Sequence, residues 1–223
     1  MTRIYFSESS SELRGFESAA RSLLKWFAEY GRRFPWRGEV GWYGVLVAET
    51  MLIRTRAEVA EKVFLEFMEE FPKPGLLCSS ELTRVVNYFR KLGLPDRAGR
   101  LVKAVCAILS SYGGEVPCDY AKLRELPGVG DYIARVILSR VCGRKYAFVD
   151  SNVLRVLSRF YGRPMSISET ARALEESLSQ RNLLEVNVAL IDLGASICRP
   201  RKPRCPDCPL RSSCSSYPVF LEK

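Results

Sequence analysis

The amino-acid sequence predicts an all-α protein. Apolar residues recur at helical spacing along nearly the whole chain, and no run of alternating apolar and polar residues marks a half-buried strand. Glycines, prolines and short polar caps punctuate the periodic segments where helices should begin and end. With 223 residues, 47% of them hydrophobic, the chain can bury one large core or two smaller ones.

From about Ser11 the stripe Phe16, Ala19, Ala20, Leu23, Leu24, Phe27, Tyr30 makes a first helix, with Gly31 placed for a left-handed stop. A loop holding Phe34-Pro35-Trp36-Arg37 follows. Residues 41–55, GWYGVLVAETMLIRT, are apolar on almost every side, so this helix should be buried within its domain. It carries one carboxylate, Glu49, expensive there unless paired or protonated; its pKa is expected to rise, and Arg54 or Arg56 would pair with it in a purely structural role. Further helices are expected over 57–71, 80–91 and 96–112, with a short one near 119–125. LPGVGDY, residues 126–132, turns the chain into a helix bearing Ile133, Val136, Ile137, Leu138 and Val141, ended near Gly143. Asp150 and Ser151 are good caps for the next helix, and Ser166 with Glu169 makes a capping box for the one after it. The last long helix, NLLEVNVALIDLGASIC, delivers the chain to a tail rich in proline and cysteine.

Composition narrows the chemistry. Thirty-four Lys and Arg against 25 Asp and Glu leave a net charge of +9, which favours a polyanionic partner. Histidine is absent, which removes Ser-His-Asp and Cys-His catalysis, HExxH zinc chemistry and Cys2His2 fingers together. Acid-base work must fall to carboxylates, Lys, Tyr or Cys. The N-terminus, MTRIYFSESSSELRG, does not read as a signal peptide, and no apolar run reaches the length of about 18 residues that a membrane span needs. The expectation is an intracellular, cytoplasmic protein with no membrane partner. Eight cysteines in a reducing compartment point to metal ligation sooner than disulfides, thermophile cytosols being the exception.

Four of those cysteines, Cys198, Cys205, Cys208 and Cys214, fall in the pattern C-x6-C-x2-C-x5-C. Four thiolates so close in sequence can converge on one centre, and sulfur ligation suits tetrahedral zinc or an iron-sulfur cluster. Zinc ribbons usually show two C-x2-C knuckles; the single one here favours iron-sulfur. The first inter-cysteine loop, with Arg199, Arg201, Lys202 and Arg204, would present a fixed cationic patch to phosphates, or else be an ordinary solvated basic loop. In LPGVG, Gly128 and Gly130 allow backbone conformations barred to other residues. The N-H groups of Gly128, Val129, Gly130 and the following helix N-terminus then form an anion-binding nest, and in a basic chain the natural anion is a nucleic-acid phosphate. A plain helix-to-helix connection is the alternative.

LPGVGDYIARVIL, Asp150 in FVDSNVLRVLSR and the four-cysteine tail, in that order, resemble the helix-hairpin-helix DNA glycosylases related to endonuclease III and adenine DNA glycosylase. The likeness runs from about Trp26 to Cys214 and includes FPWR, AETMLIRT, GGEVP and DLGASICRPRKPRCPDCPL. The resemblance implies a helix-hairpin-helix glycosylase fold: a six-helix barrel over 34–144, and a helical domain built from 1–33 and 145–223 that holds a [4Fe-4S] cluster. The DNA cleft would lie between them. It further implies base excision repair, in which a nucleotide is flipped from double-stranded DNA containing a mismatched or damaged base and its glycosidic bond is cut. By this resemblance Asp150 is the carboxylate that stabilises positive charge on the sugar, and Glu49 contacts the departing base.

Tyr132 stands where strand-cleaving relatives carry the lysine that forms a Schiff base, so the resemblance implies base removal alone, with water as nucleophile. Tyrosine here, the Arg54-Thr55 pair and a chain ending nine residues beyond Cys214 resemble the archaeal-type thymine mismatch glycosylases. Ile53, Arg54 and Leu94 are the expected candidates to fill or flank the gap left by the flipped nucleotide. The expected protein is a monomeric, nucleoid-associated glycosylase for thymine or uracil mispaired with guanine. Competing readings are an adenine glycosylase, a bifunctional glycosylase/lyase, a non-catalytic iron-sulfur DNA-binding module and a zinc-stabilised RNA-binding protein.

Overall fold

Helix-forming periodicity is realised throughout the computed structural model, which describes residues 10–218: among them eleven α-helices and three 3-10 turns occur, and no strand. In chain order the helices are α1 (Ser10–Tyr30), α2 (Gly41–Leu52), α3 (Ala57–Glu70), α4 (Pro74–Cys78), α5 (Leu82–Lys91), α6 (Pro95–Ser111), α7 (Tyr120–Glu125), α8 (Asp131–Arg140), α9 (Ser151–Phe160), α10 (Ile167–Ser177) and α11 (Gln180–Ser196). No helix of the described residues is long and apolar enough to cross a membrane. The chain divides into two compact units, a middle one of Arg33–Arg144 and a terminal one of Met1–Arg32 with Lys145–Lys223.

In the middle unit α2 buries Tyr43 through Met51 without interruption, as its all-round apolar sequence requires. It ends at Leu52, short of the expected Thr55. Arg54 takes a left-handed conformation with φ 57°, and the Thr55 amide folds back onto the Leu52 carbonyl at 3.2 Å. Before α2, Trp36 is buried in a 3-10 turn, stacked on Phe34 and edge-on to Phe64 with ring centroids 4.8 and 5.5 Å apart. Helix α4 was not expected from sequence, because five residues carry too little periodicity; Pro74 starts it and buried Leu77 anchors it.

Cysteine usage corrects one expectation. Cys78 at the end of α4 is bonded to Cys106 on α6, and Cys118 before α7 to Cys142 after α8. Neither pair is sequence-local, so only the packing of the helices shows that these thiols meet.

The terminal unit packs Phe16, Ala19, Ala20 and Leu23 of α1 with Val153, Val156, Leu157 and Phe160 of α9 and the apolar faces of α10 and α11. Gly31 does not make the expected left-handed stop. It is needed for clearance, since a Cβ there would lie 2.4 Å from the Phe27 carbonyl oxygen. Arg32 then donates from its amide and from Nε to the fully buried carboxylate of Asp192, both at 2.8 Å. The Ser166–Glu169 capping box forms as expected.

Candidate active site and nucleic-acid interface

Asp150 is delivered by an extended segment that the terminal unit grips through its backbone. Buried Asn187 accepts from the Phe148 amide at 2.9 Å and donates to the Phe148 carbonyl at 2.7 Å, and Glu175 accepts from the Ala147 amide at 2.9 Å. The chain then enters α9 with Asp150 as its N-cap. Oδ1 accepts from the Asn152 and Val153 amides at 2.9 and 2.8 Å, and Oδ2 accepts from Asn152 Nδ2 at 2.8 Å. Three donors from Asn152 and Val153 thus orient the carboxylate, the side-chain amide adding one to the two backbone bonds of the cap.

Asn152 is held in turn. Its Oδ1 accepts from Arg155 Nη2 at 2.8 Å, while the same guanidinium donates to the carbonyls of Gly194 and Cys198 at 2.8 Å each. Gly194 has no room for a side chain, because a Cβ there would meet Asn152 Cβ at 2.6 Å. Helices α9 and α11 therefore meet at backbone distance beside the Asp150 cap.

The four tail cysteines, which follow α11, line one shared cavity together with Arg159, Ile197 and Leu210's neighbour Arg211. Arg159 donates to the Arg199 and Pro200 carbonyls at 2.8 and 3.1 Å and lies 3.4 Å from Cys198 Sγ. Burial pushes the Cys208 thiol up to about 12, and neighbouring sulfurs push the same way. Burial likewise raises Cys205 and Cys214. A cationic metal core would reverse these local electrostatics and favour thiolate ligands. Among the described residues, no group of three or more His, Cys, Asp or Glu side chains is arranged to hold a single metal ion. Arg201, Lys202 and Arg204 are exposed on the loop; Lys202 has φ 50°, and Arg204 pairs with Asp207 at 2.7 Å, so it is not an uncompensated cation.

In the middle unit the glycine turn joins α7 to α8. Gly128 has φ +83°, but Gly130 is extended, with φ −79° and ψ 178°. Only the first glycine therefore needs its conformational freedom, which corrects the expectation for both. Val129 is buried and pins the turn, leaving Gly128 and Gly130 exposed, and Arg124 Nη1 donates to the Val129 carbonyl at 3.1 Å. A Cβ on Gly128 would lie 3.0 Å from Arg100 Cβ. Arg97, near Arg100 on α6, has its pKa pushed down by burial and then by Arg100 and Arg54. Arg100 thus lies against the turn, a cation placed for a phosphate held there. Arg97 and Arg100 were not singled out from sequence, where helical arginines carry no sign of what they face. Ile53 is half-buried at the C-cap of α2, and Leu94 is half-buried at the N-cap of α6.

Tyr132 stands in the first turn of α8, directly after the glycine turn, and is partly exposed. Glu49 is buried on α2. Arg140 lies at the end of α8. Burial pushes the Arg140 pKa down, Glu49 and Tyr132 pull it up, and Arg37 opposes them. Arg140 Nη2 also donates to the Trp36 carbonyl at 2.6 Å. Glu49 and Tyr132 thus share the middle unit, whereas Asp150 and the four cysteines share the terminal unit.

Known proteins match these features. A model of the HhH-GPD superfamily of base excision DNA repair proteins matches residues 47–180. The thymine-DNA glycosylase of Aeropyrum pernix is 36% identical over 212 residues, covering 90% of this chain and 95% of that protein. The thymine/uracil-DNA glycosylase of Methanothermobacter thermautotrophicus is 30% identical, covering 88% and 91%. An adenine DNA glycosylase of Mycobacterium tuberculosis is 34% identical over 85% of this chain but 64% of its own length. Among solved structures, a thermostable thymine-DNA glycosylase superposes with a TM-score of 0.81 at 28% identity, covering 94% of this chain and 98% of the other. Endonuclease III in a non-covalent DNA complex shares the fold, with a TM-score of 0.83 at 23% identity over 95% of this chain and 99% of its own. The glycine turn, the capped Asp150 and the all-helical architecture therefore belong to a member of the HhH-GPD superfamily of base excision DNA repair proteins.

Proposed function

We propose that this DNA glycosylase is monofunctional and hydrolyses the N-glycosidic bond of thymine or uracil mispaired with guanine, leaving an abasic site. The observation that carries this reading is Tyr132 at the head of α8, immediately after the glycine turn. A phenol cannot form the imine through which a lysine amine would lead to strand cleavage. Relatives named for thymine and uracil, matched over nearly their full length, support the choice of base.

Each residue then has a task. Backbone N-H groups of Gly128 and Gly130, with Arg100 beside them, hold a phosphate of double-stranded DNA while the target nucleotide is flipped. Glu49 contacts the flipped base. As the bond from the sugar to the base nitrogen breaks, its electron pair leaves with the base and positive charge grows on the sugar. The Asp150 carboxylate, pre-oriented by the α9 amides and Asn152, stabilises that charge. Water then adds to the anomeric carbon and loses a proton, completing the hydrolysis. Ile53, Arg54 and Leu94 occupy the space vacated in the duplex.

Cys198, Cys205, Cys208 and Cys214 hold a [4Fe-4S] cluster in this reading, supported by their shared cavity. The cluster would serve as a covalent pin that fixes the loop bearing Arg201, Lys202 and Arg204 for phosphate contact. The enzyme acts as a monomer in the cytoplasm, on nucleoid DNA.

The decisive experiment is a panel of duplexes carrying G:T, G:U, adenine opposite 8-oxoguanine, or an oxidised pyrimidine, each with and without alkali. Release of thymine and uracil with strand breaks only after alkali is expected. Adenine as the preferred base, or breaks without alkali, would overturn the assignment. Iron and acid-labile sulfide in the purified protein, with a brown colour, are expected; a colourless zinc protein would overturn the cluster.

A further inference from the structure

Two side chains of α7 reach forward to the glycine turn. Tyr120 and Arg124 are spaced i, i+4 and so stand on one face of that helix. Arg124, an exposed residue, donates from Nη1 to the Val129 carbonyl at 3.1 Å. The Tyr120 hydroxyl donates to Asp131 Oδ1 at 2.8 Å, and Arg135 Nε donates to the same oxygen at 3.0 Å. Burial pushes the Asp131 carboxyl up, but these two bonds outweigh it and hold the group below its usual range. Gly130 is therefore bracketed: the carbonyl before it is held by Arg124, and the carboxylate after it by Tyr120 and Arg135.

The peptide joining Val129 to Gly130 is trans, so its carbonyl and its N-H point in opposite directions. Holding the carbonyl toward Arg124 turns the Gly130 N-H away from that side chain. The Val129 amide already donates to the Leu126 carbonyl at 3.0 Å, which leaves Gly130 to supply the donor between the turn and α8. An Asp131 carboxylate swinging toward that N-H would repel a phosphate, and the bonds to Oδ1 prevent it.

We infer that Arg124 and Tyr120 are positioning residues for DNA binding: from one face of α7 they preset the Val129–Gly130 peptide and the neighbouring Asp131 carboxylate so that the Gly130 N-H meets a backbone phosphate without rearrangement. The inference rests on the reading of the glycine turn as a phosphate-holding element and deepens it. A peptide that ends in glycine can rock at little steric cost, and ordering it only when DNA arrives would lower affinity. A bond accepted by its carbonyl fixes the plane beforehand and strengthens the N-H as a donor.

Equilibrium binding to a duplex carrying an abasic-site analogue, titrated at several salt concentrations, reads the effect. Arg124→Met should weaken binding about fivefold, the worth of one hydrogen bond, and Arg124→Lys, whose ammonium can donate to the same carbonyl, less than about twofold. Tyr120→Phe deletes a single hydroxyl, keeps the packing of the ring, and should weaken binding about threefold. The slope of log affinity against log salt should stay that of the wild type in each variant. A slope shallower by about one in Arg124→Met would mean that Arg124 grips a phosphate itself, and would overturn the inference. Wild-type affinity in Arg124→Met or in Tyr120→Phe would overturn it as well.

A second arm replaces the Gly130 N-H by an ester oxygen, with glycolic acid incorporated at position 130. In that background Arg124→Met should cost less than about twofold more, because no N-H remains to be aimed. If the ester alone leaves affinity unchanged, the phosphate reading of the turn falls and the inference with it. If the ester weakens binding and Arg124→Met then adds its whole effect, only the inference falls.

Discussion

Asn152 donates from Nδ2 to Oδ2 of Asp150 at 2.8 Å, and its own Oδ1 is held by Arg155, whose Nε donates to the Cys198 carbonyl. One amide thus links the proposed catalytic carboxylate to the peptide of the first tail cysteine. Asn152→Ala removes both ends of the link. Excision should slow by about tenfold, the worth of one to two hydrogen bonds, while affinity for abasic-site DNA stays constant. Rapid-quench measurement of base release checks this; an unchanged rate would make the link purely structural.

Asp150 performs two tasks that substitution can separate. Asn is nearly as good a cap as Asp, so Asp150→Asn should alter stability by less than about 1 kcal/mol. Loss of the negative charge beside the reacting sugar should slow base release by about a hundredfold or more. Thermal melts and single-turnover kinetics on the same preparation test both halves. A full-rate Asp150→Asn enzyme would remove this residue from the chemistry.

Tyr132 should leave no covalent trace. Borohydride added during turnover is expected to trap no enzyme-DNA adduct with the wild-type protein, whereas Tyr132→Lys, which places an amine at the head of α8, should acquire one. Denaturing gels of labelled duplex read both results. A wild-type adduct would mean that another lysine performs lyase chemistry.

The two glycines of the turn should respond differently. Gly128→Ala places a Cβ at φ +83°, 3.0 Å from Arg100 Cβ, and should cost about 1 to 2 kcal/mol of stability. Gly130→Ala meets nothing nearer than Arg124 Nη1 at 3.7 Å, so it should fold normally and weaken DNA binding alone. Melting temperatures and duplex titrations at fixed salt distinguish them.

The Cys118–Cys142 bond closes the chain around the whole glycine-turn motif. Replacing both cysteines by serine should destabilise the protein by about 3 kcal/mol, from the loop entropy returned to the unfolded chain. Denaturant titration without reductant checks the value, and adding reductant should bring the wild-type protein below the midpoint of the untreated variant, because it also opens Cys78–Cys106.

Much of this architecture was legible from residue pattern. The stripe beginning at Phe16, the uniformly apolar α2, the Asp150 cap and the Ser166–Glu169 box all appear as expected, because local backbone chemistry specifies them. Short α4 did not appear in the pattern, and neither did the early end of α2 at Leu52. The expectation of a left-handed Gly31 failed because a glycine can be required for clearance from a neighbour as readily as for its φ.

Residue type and spacing determined the helical class, the cationic balance, the four clustered thiols and the glycine turn, since each depends on near neighbours in the chain. Which distant groups complete them was decided only by tertiary packing. Arg140 meets Trp36 across 104 positions, Asn187 grips Phe148 across 39, and Cys118 finds Cys142 across 24. A side chain's identity states what it can donate or accept, but its partner is chosen by the helices that bring the two together, as when the Arg140 guanidinium on α8 meets the Trp36 carbonyl.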